Sequence, residues 1–377
     1  MKNNKKASPE EILDAVDVRR KRAETKALDI SLNELADMHE SKELVIRPEF
    51  QRLFRWPKLK QSQFIESLIL EMPVPAIFVI EIEEGKWELI DGLQRISSYL
   101  HFRGNLDAPA VIPPIKKGSK LKLEGCDILT ELNGTTYDEL PLALQIRLKR
   151  SFLRVETIRK ETGTHFRYYM FKRLNTGGED LSDQEIRNCT IRLLGEKFNN
   201  FLIDCSNNSA FKNVINKLSD DKRRQMFDIE LVLRFFAFKN NFSEFKHDLN
   251  VFLTNYMERV TDTTLADAID FDYKIEKQTF EKVFETLNES LGERTCIRWL
   301  GQKYGGQFLI HHYEAMTLGL AKALARPTKP PPITIKKKLE EAKKDERFKN
   351  LTTGGGKNSP GPYRNKIDFI ANLFADS

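Results

Sequence analysis

The sequence has few cysteines and no long apolar run. Its four cysteines lie far apart in a chain of 377 residues and form no C-x-x-C pair, whereas a disulfide framework or a zinc cluster needs closely spaced, paired cysteines. The apolar run at 74–80 is much shorter than the roughly 18 residues of a membrane-spanning helix. The basic N-terminus is not followed by an apolar stretch. We therefore expect a cytoplasmic chain with free thiols, no secretory signal and no membrane partner.

Motifs of several familiar chemistries are missing as well. There is no G-x-x-x-x-G-K-[ST] segment, so any nucleotide hydrolysis would not use a P-loop. Of six scattered histidines only His311 and His312 are adjacent, and adjacent helical residues point about 100° apart, too far to face one metal together. Glu81, Glu83 and Lys86 straddle a predicted turn, where such residues are usually solvated. These features disfavour an H-N-H or PD-(D/E)xK nuclease, and we expect core or helix-surface histidines.

The charge of the chain is concentrated near its C-terminus. Hydrophobic residues make up 40% of the chain, enough to build cores, and the formal net charge is +6. Residues 326–350 hold nine basic and four acidic residues, so the remaining chain is nearly neutral. We expect salt-dependent attraction to a nucleic-acid backbone to reside in this segment. The alternative is a flexible, solvated linker without stabilising apolar content.

The pattern of predicted elements indicates an α+β protein with several parts. Residues 1–28 contain a charged helix at 8–24, 29–190 mix strands and helices, 191–325 are almost wholly helical, and 326–377 form a basic linker and a C-terminal helix. Predicted helices lie at 31–39, from 57, at 93–103, from 142 and at 164–174, the last stopped by a left-handed cap at 175–178. Predicted strands lie at 43–47, 76–82, 87–90 and 152–158, and 104–141 contains short strands and turns.

Two polar segments crowd a region whose core should be apolar. The first reads R-P-E-F-Q-R at 47–52, followed by Arg55 and Trp56; the second reads I-D-G-L-Q-R at 90–95, where a strand becomes a helix. A strand–Gly–helix junction presents free backbone N–H groups and the positive end of a helix dipole, which suits a phosphate. Arg52 and Arg95 are able to donate to phosphate oxygens in bidentate fashion.

The same junction offers groups for hydrolysis. Asp91 is placed to hold Mg²⁺ or orient a water, and Gln94 to position that water by hydrogen bonding. An ordinary interpretation also stands: Asp-Gly is a common turn, Asp91 only caps the helix, and Gln51, Arg52 and Gln94 are solvated. A single D-G-x-Q-R segment leaves both interpretations open.

The two segments resemble the N-terminal domain of GmrSD-type restriction enzymes, a family with a ParB/sulfiredoxin-like fold. The first motif matches at Arg47, Phe50, Gln51, Arg52 and Trp56, and the family's I-D-G-Q-Q-R matches at Ile90, Asp91, Gly92, Gln94 and Arg95. A third block, similar to F-x-x-L-N-x-G-G…L-S-x-Q-E-I-R-N, extends from Phe171 to Asn188. These three ordered blocks cover about residues 29 to 192.

The resemblance implies nucleotide binding and Mg²⁺-dependent NTP hydrolysis, tied to DNA restriction and anti-phage defence. It implies catalytic roles for Asp91, Gln94 and Arg95, with Asp91 as the metal ligand; nucleotide-binding roles for Arg47, Gln51, Arg52, Gly92 and Asn175; and supporting roles for Trp56, Glu185 and Arg187. The implied partners are a nucleotide, DNA and a separate nuclease subunit.

Two departures from the family keep three hypotheses open. Leu93 stands where the family usually has its first Gln, and no H-N-H segment follows. If the family Gln contacts nucleotide, Leu93 weakens hydrolysis; if it points into the core, the change matters little. The chain is then an NTPase, a DNA-binding or regulatory module beside a separate nuclease, or a ParB-like nickase.

Overall fold

The computed structural model describes residues 8–10, 12–13, 16, 25–47, 51, 53–109, 111, 113–159, 164–175, 182–327, 330–354 and 359–375. The chain divides into two compact units, Met1–Leu181 and Ser182–Ser377. The first contains a mixed sheet and the second is helical, so the α+β prediction is confirmed. The predicted boundaries at 28, 190 and 325 stay predictions.

The described strands of the first unit form one five-stranded sheet in the order β1-β5-β3-β4-β2. β1 pairs antiparallel with β5, and β3 with β4, whereas the β3/β5 and β2/β4 pairs are parallel. The strands are β1 (Thr25–Ser31), β2 (Leu44–Val45), β3 (Ile77–Glu83), β4 (Lys86–Asp91) and β5 (Phe152–Ile158). The helices of this unit are α1 (Leu32–Glu40), α2 (Lys58–Ile69), α3 (Leu93–Arg103), α4 (Leu142–Arg150) and α5 (Thr164–Asn175).

Glycine stands at both ends of helix α3, and Gly92 alone separates this helix from β4. Gly92 is its N-cap and Gly104 its C-cap, and both have left-handed backbone conformations, with φ of 97° and 78°. A left-handed residue with no Cβ is the usual way to end a helix. Buried side chains such as Ile96 and Leu100 then hold α3 in the core of the unit.

The second unit is built from helices around an aromatic core. Phe235 and Phe236 pack against Phe280 and Phe284, with ring centroids 5.5 to 5.7 Å apart for three of the four pairs. The helices are α6 (Asp183–Thr190), α7 (Lys197–Ser206), α8 (Ser209–Val214), α9 (Asp220–Arg224), α10 (Phe227–Asn241), α11 (Leu249–Thr261), α12 (Tyr273–Ser290), α13 (Ile310–Leu324), α14 (Pro332–Lys344), α15 (Glu346–Thr352) and α16 (Pro360–Asn372).

Most predicted elements of the first unit are confirmed, but two regions differ from the prediction. The sequence does not predict β1, because the apolar/polar alternation there covers only residues 28–31, and none of its described side chains is buried. Described residues in 104–141 contain two short 3₁₀ helices, Thr130–Leu132 and Tyr137–Glu139, and one isolated bridge between Ala108 and Ile115, rather than several strands. The predicted cap at 176–178 and most of the predicted helix at 8–24 lie outside the described residues.

The interpretation of 326–350 as a flexible linker is wrong for α14 and α15. Ile335, Leu339 and Ala342 follow one another at helical spacing and are buried, as is Phe348 of α15. This apolar stripe, hidden among lysines in the sequence, anchors both helices within the second unit.

Candidate functional site

The candidate site is the point where β4 becomes α3, and we call Asp91, Gly92, Gln94 and Arg95 the junction site. A Cβ placed on Gly92 would lie 2.3 Å from Ile77 Cγ2, closer than real contacts allow, so only glycine fits this backbone. Without a side chain, Gly92 makes no capping hydrogen bond to the first turn of α3. Among the residues that the structure describes, no side chain caps this turn, so the positive end of the α3 dipole and its N–H groups suit an anion.

Arg95 lies in the first turn of α3 and is held by two acceptors. Its Nη2 donates to Asp91 Oδ2 at 2.8 Å and to the Ala76 carbonyl oxygen at 2.9 Å. A cation at a helix N-terminus is disfavoured by the dipole, and the Asp91 carboxylate offsets that cost. The Nε–H of Arg95 is buried and has no partner among the residues that the structure describes. The guanidinium is thus fixed in place with a donor still unsatisfied.

Gln94 connects the two sequence motifs. Its Oε1 accepts hydrogen bonds from the backbone N–H groups of Arg55 and Trp56, each at 3.0 Å, and its Nε2 donates to the Leu53 carbonyl oxygen at 2.7 Å. Both lone pairs of the amide oxygen are therefore occupied by backbone. The sequence suggests a water-positioning Gln94 and gives no sign of this clamp on residues 53–56.

Other residues of the first motif are also tied to the protein. Arg47 Nε lies 2.7 Å from Glu88 Oε1 on β4. Gln51 is buried and donates to the Asp107 carbonyl oxygen at 2.6 Å. The ring of Trp56 meets Phe64 edge-on, with centroids 5.9 Å apart. The alternative in which Gln51 and Gln94 are merely solvated is therefore wrong. Arg52 lies outside the described residues.

Leu93, the departure from the family motif, is a core residue. Its side chain is 4% exposed. The side chain at position 93 thus points into the protein core. Of the two alternatives for this position, the structure therefore fits the one in which the exchange of Gln for Leu alters packing more than ligand contacts.

The predicted supporting residues Glu185 and Arg187 lie in the second unit. Glu185 accepts from the N–H of Ser182 at 2.8 Å while its own N–H donates to Ser182 Oγ, which is a capping box at the start of α6. Arg187 is buried and donates to Glu230 Oε2 at 2.7 Å and to Gln184 Oε1 at 2.9 Å. The first contact caps α6, and the Arg187–Glu230 ion pair joins α6 to α10. Asn175 lies at the end of α5, and its side chain is outside the description.

The titratable side chains restrict which chemistry is available. In the described parts of the chain, no group of three or more His, Cys, Asp or Glu residues could hold a metal. Asp91 is a single carboxylate, which fits Mg²⁺ only where phosphates and waters supply most of the ligands. Burial raises the pKa of the Cys126 thiol to about 11 and the pKa values of Cys205 and Cys296 to about 12, so these free thiols stay protonated.

The adjacent histidines have structural partners. His312 is 2% exposed and contacts Lys343 and Thr352, whereas the Nδ1 of His311 lies 3.3 Å from Glu314. The expectation of core or helix-surface histidines is confirmed. None of the helices in the described ranges has the length and apolar character to cross a membrane.

Comparison with protein-family models matches residues 32–192 to the model described as GmrSD restriction endonuclease, N-terminal domain. The matched range starts at α1, contains β2 to β5 and the junction site, and extends through α6 of the second unit. No curated protein and no solved structure gives a significant match.

Proposed function

With residues 32–192 belonging to the GmrSD restriction endonuclease N-terminal domain family, and the chain thereby to a DNA restriction context, we propose that the junction site binds a nucleoside triphosphate and hydrolyses it. The observation that carries this proposal is the fixed Arg95 guanidinium beside the uncapped start of α3. Both features attract the same ligand, a phosphate.

Each member of the junction site has a role in this proposal. Gly92 lets β4 turn directly into α3 while it packs against Ile77, which presents the first N–H groups of α3, and Arg95 neutralises phosphate charge. A phosphate that takes donors of Arg95 weakens the hold of Arg95 on Asp91, which frees that carboxylate to orient water. Mg²⁺ arriving with the nucleotide would neutralise further phosphate charge, with Asp91 as its protein ligand.

Three further predicted residues, Gln94, Arg47 and Gln51, position the site rather than touch the phosphates. Gln94 holds residues 53–56 against the start of α3, Arg47 is anchored on β4, and Gln51 is tied to the segment after α3. Arg52 and Asn175 keep the nucleotide-binding roles that the resemblance implies. Leu93 sits in the core, so we expect Leu93→Gln to perturb packing without raising turnover.

The test is phosphate release from each of the four common NTPs with Mg²⁺, using the full chain. We expect Asp91→Asn and Arg95→Gln each to lower turnover at least about tenfold. Arg103→Gln is the matched control, since Arg103 lies at the other end of α3 and bonds the Tyr99 hydroxyl. Circular dichroism checks that each variant is folded. Absence of both NTP binding and hydrolysis, or equal losses in all three variants, would overturn the proposal.

Nucleotide binding without turnover, in a regulatory module that acts beside a separate nuclease, is the second candidate function. The protein contacts of Asp91 and Gln94 favour it, because both side chains are already engaged. Calorimetric titration with a non-hydrolysable NTP analogue separates the candidates: binding without phosphate release supports the second. The nickase hypothesis requires that the chain nicks plasmid DNA in the presence of Mg²⁺ or Mn²⁺ and that the Asp91→Ala variant does not nick it.

DNA is the macromolecular partner that we propose, in the cytoplasm, where free thiols persist. The exposed Lys336 and Lys337 of α14 are the basic side chains to test. Because α14 is packed through Ile335 and Leu339, deleting it would disturb the unit. Reversing Lys336 and Lys337 to Glu should instead reduce the slope of log affinity against log salt by roughly two. An unchanged slope would remove α14 from the DNA contact.

A further inference from the structure

An open groove lies between helices α2 and α4 in the first unit, away from any residue assigned above. Its volume is about 570 Å³, and its apolar lining includes Leu68, Met72, Val74, Ile146 and Phe152. Arg147 and Arg150 of α4 also line it, and we call this feature the α4 groove.

Large apolar side chains are unusually exposed on this face. Met72 is 44% exposed, Ile146 38% and Phe152 66%, and Leu142, one turn before Ile146 on α4, is 70% exposed. Of the nine residues of α4 only Leu148 is buried. Several large apolar side chains exposed around one groove mark an interaction site.

The charge around the groove is positive. α4 carries Arg147, Lys149 and Arg150 and no acidic residue. The acidic residue among the groove's lining is Glu71, whose Oε1 lies 3.5 Å from Arg147 Nε. The groove therefore favours a ligand with an apolar face and negative charge, such as an acidic amphipathic helix.

The chain contains a segment of that chemistry at residues 8–18. The segment has four acidic residues, at 10, 11, 14 and 17, and no basic one. Ile12, Leu13 and Val16 follow one another at helical spacing, and these side chains are 51 to 63% exposed. Since they are exposed, they do not occupy the groove of their own chain.

We propose that the α4 groove binds the acidic segment 8–18 of a second copy of this chain. Reciprocal exchange of two such segments makes a two-fold symmetric contact, in which each copy gives one segment and offers one groove. An 11-residue helix is about 16 Å long, comparable to α4 itself. The inference does not depend on the proposed nucleotide chemistry.

Disulfide trapping in the full chain tests this contact. Val16→Cys with Ile146→Cys should form a covalent dimer on mild oxidation at least about tenfold faster than Val16→Cys with Leu59→Cys. Leu59 is 45% exposed, slightly more than Ile146, but lies nine residues along α2 from Leu68, about 14 Å away. Val16→Cys alone measures the background from Cys189, the native cysteine that is not buried.

Charge reversal supplies an independent arm. Arg147→Glu with Arg150→Glu should slow dimer trapping severalfold, and Asp14→Lys with Asp17→Lys should restore it. Lys149→Glu is the matched control, because Lys149 is exposed on the same helix but does not line the groove. Thermal melting confirms that each variant is folded. Three results would each overturn the proposal: dimer trapping no faster than with Leu59→Cys, a disulfide formed within one chain, or trapping that neither charge reversal changes. The first result is also expected if a different protein occupies the groove.

Discussion

Lys343 Nζ lies 2.8 Å from His312 Nδ1 in the interior of the second unit, joining α14 to α13. The same ammonium donates to the carbonyl oxygens of Thr295 and Ile297, and His312 Nε2 lies 3.3 Å from Thr352 Oγ1 on α15. A lysine of the basic C-terminal segment thus serves as an internal anchor, buried without a carboxylate among these partners.

The contact between Lys343 and His312 predicts that the free energy of unfolding decreases at acidic pH. Burial, reinforced by the charge of Lys343, lowers the pKa of His312 to about 2. The unfolded chain binds this proton below about 6.5, so stability decreases as the pH falls through that value. Urea denaturation at pH 7.5 and pH 5 measures the loss. His312→Asn should remove part of it, whereas His247→Asn, at an exposed histidine, should leave it unchanged. Equal pH dependence in all three proteins would contradict the assignment.

The buried Lys343 predicts a second pH range in which the stability of the protein changes. Burial lowers its pKa to about 7 from an ordinary value of 10.5. Between these values the unfolded state binds more protons than the folded state, so stability should rise with pH across the window. Lys343→Met should flatten this rise, although it also leaves the Thr295 and Ile297 carbonyl groups without their donor. Lys336→Met, at an exposed position of the same helix, should retain the rise.

The close approach of Gly92 to Ile77 predicts that Gly92→Ala is damaging for two separable reasons. A left-handed backbone costs about 1–2 kcal/mol for a residue with a Cβ, and the added methyl group also clashes with Ile77. Gly85 has φ of 73°, and a Cβ added there would meet nothing within 4 Å, so Gly85→Ala isolates the backbone cost. Chemical denaturation should show the larger loss for Gly92→Ala. Equal losses would mean that the Ile77 contact relaxes freely.

The clamp by Gln94 predicts a local effect on hydrogen exchange. In Gln94→Ala the amides of Arg55 and Trp56 lose their acceptor, so they should exchange faster by roughly the tenfold that corresponds to 1.4 kcal/mol. The amide of Gln61, which donates to the Pro57 carbonyl oxygen, is the internal control and should not change. If the Arg55 and Trp56 amides keep their protection, Gln94 does not hold this segment.

Glu230 predicts a large cost for breaking a buried charge network. Its carboxylate accepts from Arg187 at 2.7 Å and from Arg234 at 2.8 Å, and all three side chains are almost wholly buried. Glu230→Ala leaves two guanidinium groups without this partner and should destabilise the protein by about 3–5 kcal/mol. Asp204→Ala, which removes the exposed partner of Lys277, should cost less than about 1 kcal/mol. The difference in urea midpoint between the two variants checks the network.

Elements with local signals are predictable from the sequence. Helix α3 is predicted at 93–103 and occupies those residues, because Gly92 and Gly104 mark both of its ends within one short stretch. The pattern at 152–158 likewise predicts β5 with the bounds that it has. The junction site follows from the same local sequence, since a strand, a glycine and a helix are adjacent in it.

Partners distant in the chain are set by the packed structure alone. β1 is a strand because it pairs with β5, more than 100 residues later, where Ser31 faces Phe152. Gln94 is a clamp because packing brings residues 53–56 to it across about 40 positions. The basic segment becomes two anchored helices because Leu339 and Phe348 are buried in the second unit, where Lys343 also donates to the Thr295 carbonyl oxygen. The sequence alone shows where most helices and strands begin and which residues carry charge, because those signals span only a few residues. Which polar atoms form hydrogen bonds with one another depends on contacts that exist only after the chain has packed.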